Sequence, residues 1–276
     1  MLGTQVRAFL LVLLSVAAVA FAQSPERPSL RAVRLSADAT APVIDGRVDE
    51  AAWSDVEPAS RFIQQQPDEG QPATERTELR VLHDERNLYI AIICFDSEPD
   101  KIVVTQGRRD ADLGETDSVQ VVLDTFNDRQ NGFLFGTNPL GLAHDGQIAS
   151  EGQTSGVLSP QQTGFGASGA QRGNLLGYNK NWDGDWTVKS QITERGWETE
   201  MAIPLKTLRY DGGTDKHWGI NVMRNIRRKN EQVFLAPIPR AYNIYRVSMA
   251  ESLAANARTS TRRNGLVHVA PPSADL

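Results

Sequence analysis

Cysteine is almost absent. Cys94 is the one thiol in 276 residues, which excludes a disulfide framework and a thiolate metal cluster. It lies in LYIAIICF, residues 88–95, and is read as a small buried apolar side chain. Histidine is also scarce. His83, His144, His217 and His268 are the only four, and no H-E-x-x-H pair occurs among them, so the sequence gives no reason to expect a zinc site. No Lys/Arg stripe with interleaved aromatics is visible, which argues against nucleic acid as a partner. Helix signals are few. Asp49 is placed to cap a short turn ending at Trp53, and Pro204 to open one ending at Leu208. Neither is long enough for an α/β protein.

One long apolar run exists, and it lies at the start. Arg7 precedes the apolar stretch 8–20, and Ala20-Phe21-Ala22 precedes polar Gln23-Ser24-Pro25-Glu26. This is the layout of a secretory signal cleaved after Ala22, with an apolar stretch too short to span a bilayer comfortably. The expected location is the periplasm or the outer membrane's periphery. Arg7 is the only charge within residues 1–22, so the mature chain keeps 28 of the 29 basic residues against 34 acidic ones, net −6. The remaining ~250 residues suit one large all-β domain or two small ones. An exported chain without disulfides depends on its core.

Short apolar and period-2 runs dominate the mature chain. Candidate strands are 32–35, 77–83, 88–95, 118–124, 132–137, 143–149, 186–193, 197–203, 218–227 and 231–235. About ten short strands with turn punctuation predict a β-sandwich or barrel. Residues 83–87 form a hairpin-length connector. Glu194-Arg195-Gly196 joins two strands with glycine at the corner. Residues 150–185 differ, with eight glycines among Ser, Gln and Asn. Such a segment buries too little apolar surface to order itself cheaply, and reads as a loop insertion, either a mobile loop over a binding face or an insertion without function. Residues 254–276 are polar and unpatterned and read as a tail, leaving 23–253 as the folded domain.

Some motif matches carry no chemistry. GFGASG, residues 164–169, fits G-x-G-x-x-G but lacks the strand before and the helix after that a dinucleotide site requires. Ser155 and Ser168 are outside any G-x-S-x-G, so no nucleophile elbow is present. Most carboxylates alternate with apolar residues along strands, the pattern of a solvated face rather than of a facing catalytic pair. One acidic cluster is tighter: Asp110, Asp112, Glu115 and Asp117 around Gly114. Alternating oxygen ligands on a loop suit calcium, although the spacing is not that of an EF-hand. Ordinary surface acids are the other reading.

The five tryptophans divide by context. Trp186, Trp197 and Trp218 share strand faces with Val188 and Ile192, with Met201 and Ile203, and with Ile220 and Val222, which places them in the core. Trp53 joins them on its amphipathic turn. Trp182, in Asn181-Trp182-Asp183-Gly184-Asp185, sits in a polar loop. A sugar site needs aromatic faces for C–H stacking beside polar groups for hydroxyls. Trp182 is therefore either a ligand platform or a lid on the sandwich edge.

Several blocks occur in order: IDGRVDEAAW (44–53), ELRVLHDERNLYIAIICFD (78–96), DSVQVVLDTFNDRQNGFLFGTNPLG (117–141), GWETEMAIPLKTLRY (196–210) and WGINVMRNIRRKNE (218–231). Together they resemble the family 9 carbohydrate-binding module, particularly the version found ahead of an outer-membrane barrel. The likeness runs from about Ala32 to Leu253. It implies an all-β, jelly-roll-like sandwich of about ten antiparallel strands that binds a glycan, typically beside glycan-degrading activity and sometimes with calcium. The chain stops soon after Leu253, and residues 258–276 show no ten-residue alternating membrane strands. Against the motif, Trp182 is the match to an aromatic clamp, and Arg108, Arg109 and Asn138 border strand ends as polar partners. The leading expectation is non-catalytic carbohydrate binding. A docking domain for a barrel or other envelope protein is the alternative, and a glycoside hydrolase comes third.

Overall fold

The computed structural model describes residues 30–36, 38–105, 107–152, 177–210 and 217–259. The signal at 1–22, the GFGASG match, most of the glycine-rich insertion and the tail beyond 259 lie outside them.

Among the described residues thirteen strands form one curled sheet. They are β1 (Leu30–Arg34), β2 (Ile63–Gln66), β3 (Thr77–His83), β4 (Asn87–Phe95), β5 (Ser118–Asp124), β6 (Gly132–Thr137), β7 (His144–Ile148), β8 (Tyr178–Asn179), β9 (Thr187–Thr193), β10 (Gly196–Pro204), β11 (His217–Ile226), β12 (Glu231–Phe234) and β13 (Glu251–Thr259). The order is β8-β7-β6-β5-β11-β13-β1-β3-β4-β10-β9, with β12 bridging β11 to β2. The single α-helix among the described residues, α1 (Ala51–Ser54), is one turn long. The expected all-β sandwich is thus the observed fold.

Two details differ from the expected antiparallel set. β1 runs parallel to both β13 and β3. Hydrophobic period specifies which face a residue takes, not which way its strand runs, so the sequence held no sign of this. β13 also carries the chain to Thr259, into the stretch read as a polar tail. Its backbone pairs with β11 on one side and β1 on the other, so ladder bonds hold it without an apolar pattern.

Folding the sheet over itself creates the central core. Leu79, Val81, Leu88, Ile90, Ile92, Cys94, Trp197, Met201 and Ile203 face Val119, Val121, Leu123, Phe133, Phe135, Ile220 and Val222. The alternate residues are buried as well. Behind β3 and β4, Leu82, Tyr89, Ala91 and Ile93 pack against Val48, Trp53 and Val56. Behind β5 and β6, Val122 and Leu134 pack against Ile238, Ile244 and Val247. Each leaf therefore carries a second apolar layer outside it. This is why LYIAIICF is apolar throughout instead of alternating.

The outer layers overturn the expectation that strand carboxylates are solvated. Glu198, Glu200, Asp117, Asp124 and Asp145 are all almost fully buried. They accept hydrogen bonds from the covering segments: Glu198 from Val48 N at 2.8 Å, Asp124 from Arg129 N at 2.8 Å, Asp117 from Val103 N at 2.6 Å and Arg227 N at 2.9 Å. A buried backbone donor needs an acceptor, and a carboxylate from the neighbouring strand supplies it.

Candidate functional site

At one end of the sandwich three connections interlock: 102–117, 138–143 and 179–186. Asn138, fully buried, donates to Thr105 O at 3.0 Å and accepts from Leu140 N and Leu142 N at 3.1 Å each. Its amide builds the turn after β6. Arg109 reaches the third connection. Its guanidinium lies 2.6 Å from Asp145 and 2.5 Å from Asp183, and donates to Gly184 O at 3.2 Å. Asp145, raised above its ordinary value by burial, also accepts Gly184 N at 2.6 Å. Arg108 is exposed on the same connection.

Trp182 stands over the core's edge. Its ring centroid is 5.0 Å from Phe133 and 6.0 Å from Phe135, and the ring packs against the central core. The space under it is kept open by glycine, since a Cβ on Gly184 would sit 2.7 Å from the Trp182 ring. Arg109, Asn138 and Trp182, singled out from sequence, are thus brought to one end. There they tie the connections to each other and to the core. The remaining tryptophans, Trp53, Trp186, Trp197 and Trp218, are buried as strand period requires, whereas Ile192, grouped with Trp186, is half exposed.

The acidic set does not converge. Asp110 Oδ1 accepts Asp145 N at 3.1 Å, Asp112 Oδ1 accepts Gly114 N at 2.9 Å, Glu115 pairs with Arg227 at 2.7 Å, and Asp117 is buried on backbone donors. Each of the four acids bonds a separate partner. Among the described residues a different triad gathers: Asp45, Glu50 and Glu200 bring one oxygen each within 4.8 Å of one another. Hard oxygens of this kind suit calcium chemically. Glu200, however, already accepts Trp53 Nε1 at 2.9 Å, Gly46 N at 3.0 Å and Asp45 N at 3.1 Å. Burial pushes its carboxyl up to about 7. These bonds fasten the IDGRVDEAAW block onto β10.

A second surface has an open shape. Glu151, Gly152, Arg240, Ala241, Tyr242, Asn243 and Arg246 line a cleft of about 400 Å³, within the size range of small-ligand sites. Tyr242 is 42% exposed there. The Arg246 guanidinium lies over one face of its ring, 4.2 Å from the centroid, and is fixed by Glu151 at 2.8 Å. Arg240 is held from behind by Gln65 O at 2.9 Å and by Pro67 O. Gln65 Nε2 in turn clamps the loop through Ile238 O and Tyr242 O, each at 3.0 Å. The result is a loop tied down by these bonds that presents an aromatic ring beside guanidinium and amide groups. Strand period does not reveal it, because the loop lies between strands. The signal was present in PIPRAYNIYR, residues 237–246, as an aromatic in a polar, proline-bearing loop between arginines.

Residues 44–233 match the family model described as carbohydrate family 9 binding domain-like. The fold is similar to that of a family 9 carbohydrate-binding module from Caldicellulosiruptor kristjanssonii in complex with cellotriose. That likeness has a TM-score of 0.51 and 16% identity, over 87% of this chain and 100% of that one. A candidate carbohydrate-binding protein from Bacteroides uniformis aligns with a TM-score of 0.58 and 12% identity, over 83% of this chain and 99% of that one. A search of curated proteins gives no match. The structural likenesses establish the fold, and the family model covers well over half of the chain. The chain belongs to the carbohydrate family 9 binding domain-like family.

Proposed function

We propose that this chain is an exported, non-catalytic carbohydrate-binding module, and that the Tyr242 cleft is its sugar site. The observation that carries the assignment is an exposed aromatic ring in a cleft of about 400 Å³, flanked by Arg240, Asn243 and Arg246. The free ring face suits the C–H face of a pyranose, and the flanking groups suit its oxygens. Family membership supports a glycan ligand, as do the solved relatives holding cellotriose and glucose. The same context supports a role beside glycan breakdown, with the hydrolysis done elsewhere. Among the described residues, the buried acids of β10, Glu198 and Glu200, both bind the covering layer.

Tyr242→Ala should weaken glycan binding by about 1–3 kcal/mol, the range for loss of an aromatic stacking partner. It should leave the melting temperature nearly unchanged, because the ring is exposed. A glycan array followed by calorimetry on wild type and variant reads both effects. A wild type that binds nothing on the array sinks this reading and moves docking to a barrel or other envelope protein ahead. Export rests on the Arg7, apolar and Ala20-Phe21-Ala22 layout. Mass spectrometry of the periplasmic protein should show Gln23 as the first residue.

A further inference from the structure

We propose that the Tyr242 cleft selects sugars bearing an anionic group, a carboxylate or a sulfate ester. The proposal rests on the carbohydrate-binding reading above and concerns the ligand's chemical class. A neutral sugar hydroxyl both donates and accepts, so a site for neutral sugars offers both kinds of partner. Here the side-chain carboxylate and amide oxygens of the wall already hold donors of the protein itself. Glu151 Oε2 takes Arg246 Nη1 at 2.8 Å and Oε1 takes Ser248 N at 2.9 Å. Asn243 Oδ1 takes Tyr245 N at 3.0 Å, and Asn243 O takes Arg246 N at 3.1 Å. The carbonyls of Ile238, Pro239 and Tyr242 accept from Gln65 Nε2 at 3.0–3.2 Å.

The donors are left over. Arg240 Nη1, Arg246 Nη2, Asn243 Nδ2 and the Tyr242 hydroxyl make no hydrogen bond among the described residues. Two guanidinium groups stand in the wall against the single carboxylate of Glu151. Glu69 approaches Arg240 only at Nε, at 3.8 Å, from the side where Gln65 O also binds. A wall whose free side-chain groups are guanidinium N–H, amide N–H and a phenol O–H complements an oxyanion, which accepts and does not donate. The Tyr242 ring then supplies what a bare anion does not use, a surface for the sugar ring.

The test is titration calorimetry with matched pairs on the full mature chain. Trigalacturonate is set against its methyl ester, and a sulfated disaccharide against its desulfated form; cellotriose and inorganic sulfate are the other probes. One acidic sugar should bind at least tenfold more tightly than its neutral twin, and the pair that shows the difference identifies carboxylate or sulfate. Asn243→Asp keeps the acceptor for Tyr245 N while turning a donor into an anion. It should cost at least tenfold for the acidic sugar and leave the melting temperature unchanged. Arg240→Gln should do the same, with Asn243→Asp as the safeguard if loss of the Gln65 and Pro67 contacts loosens the loop. Equal or tighter binding of the neutral twins or of cellotriose overturns the selectivity while sugar binding stands. Acidic-sugar binding unaffected by Asn243→Asp and Tyr242→Ala overturns the location. Inorganic sulfate competing as well as the sulfated sugar shows an anion site only and overturns it too. No binding of any probe brings down the functional reading itself.

Discussion

Trp182 and Trp197 show how much depends on where a ring stands. Trp197 is 1% exposed in the central core, and Trp197→Ala should cost about 3–5 kcal/mol by leaving a cavity. Trp182 is only partly covered, leaning on Phe133 and Phe135. Trp182→Ala should therefore cost less, about 1–3 kcal/mol. Chemical denaturation of the two variants ranks them, and a Trp182→Ala as stable as wild type would mean that the ring is not a lid. Glu200 gives a residue-scale pH effect. Its folded value, about 7, lies above the ordinary 4.5 because of burial. The folded protein thus holds a proton that the unfolded chain releases earlier. The stability from this group is full below about 4.5 and is lost as pH rises through 7. Glu200→Gln cannot ionise, so between pH 5 and 8.5 it should lose about 1–3 kcal/mol less than wild type does. Parallel stability curves for the two proteins would refute the assignment.

Among the elements, β9 illustrates how turns finish the sandwich. It pairs with β10 along one side, and on Ser190 two glycine turns close against its backbone. A Cβ on Gly46 would sit 2.8 Å from Ser190 C, and one on Gly141 3.3 Å from Ser190 N. Both glycines have positive φ, +95° and +73°, where a side chain is strained. Gly46→Ala should therefore destabilise by more than about 1 kcal/mol and loosen the 43–48 turn, since clash and strain act together. Thermal melts check the first effect, and amide exchange at Gly46 and Val48 checks the second. The glycine of IDGRVDEAAW is required by a strand far away in sequence, a fact visible only once β9 is in place.

For the molecule as a whole, the sandwich has no covalent staple among its described residues, and Cys94 is fully buried. Burial pushes its thiol up to about 12, so it is neither ionised nor reachable in the native state. A thiol reagent such as Ellman's should label it only as the domain unfolds, with the denaturant midpoint of labelling matching that of the far-UV signal. Labelling of the native protein at the unfolded rate would show that the two leaves separate locally. The all-β class, most strand positions, four buried tryptophans and the Glu194-Arg195-Gly196 hairpin were legible in the sequence, because side-chain period and turn chemistry are local properties. Local order did not reveal that β1 would run parallel to β3 and β13, or that Glu198 and Glu200 would bond a covering layer instead of water. Nor did it show that Asp110, Asp112, Glu115 and Asp117 would each turn to a separate partner. Those outcomes depend on which distant segment lies against each face. The Tyr242 cleft is of the same kind: its loop carries the right residue types, but Gln65 and Glu151, both far from it in the sequence, fix which of its groups still face a ligand.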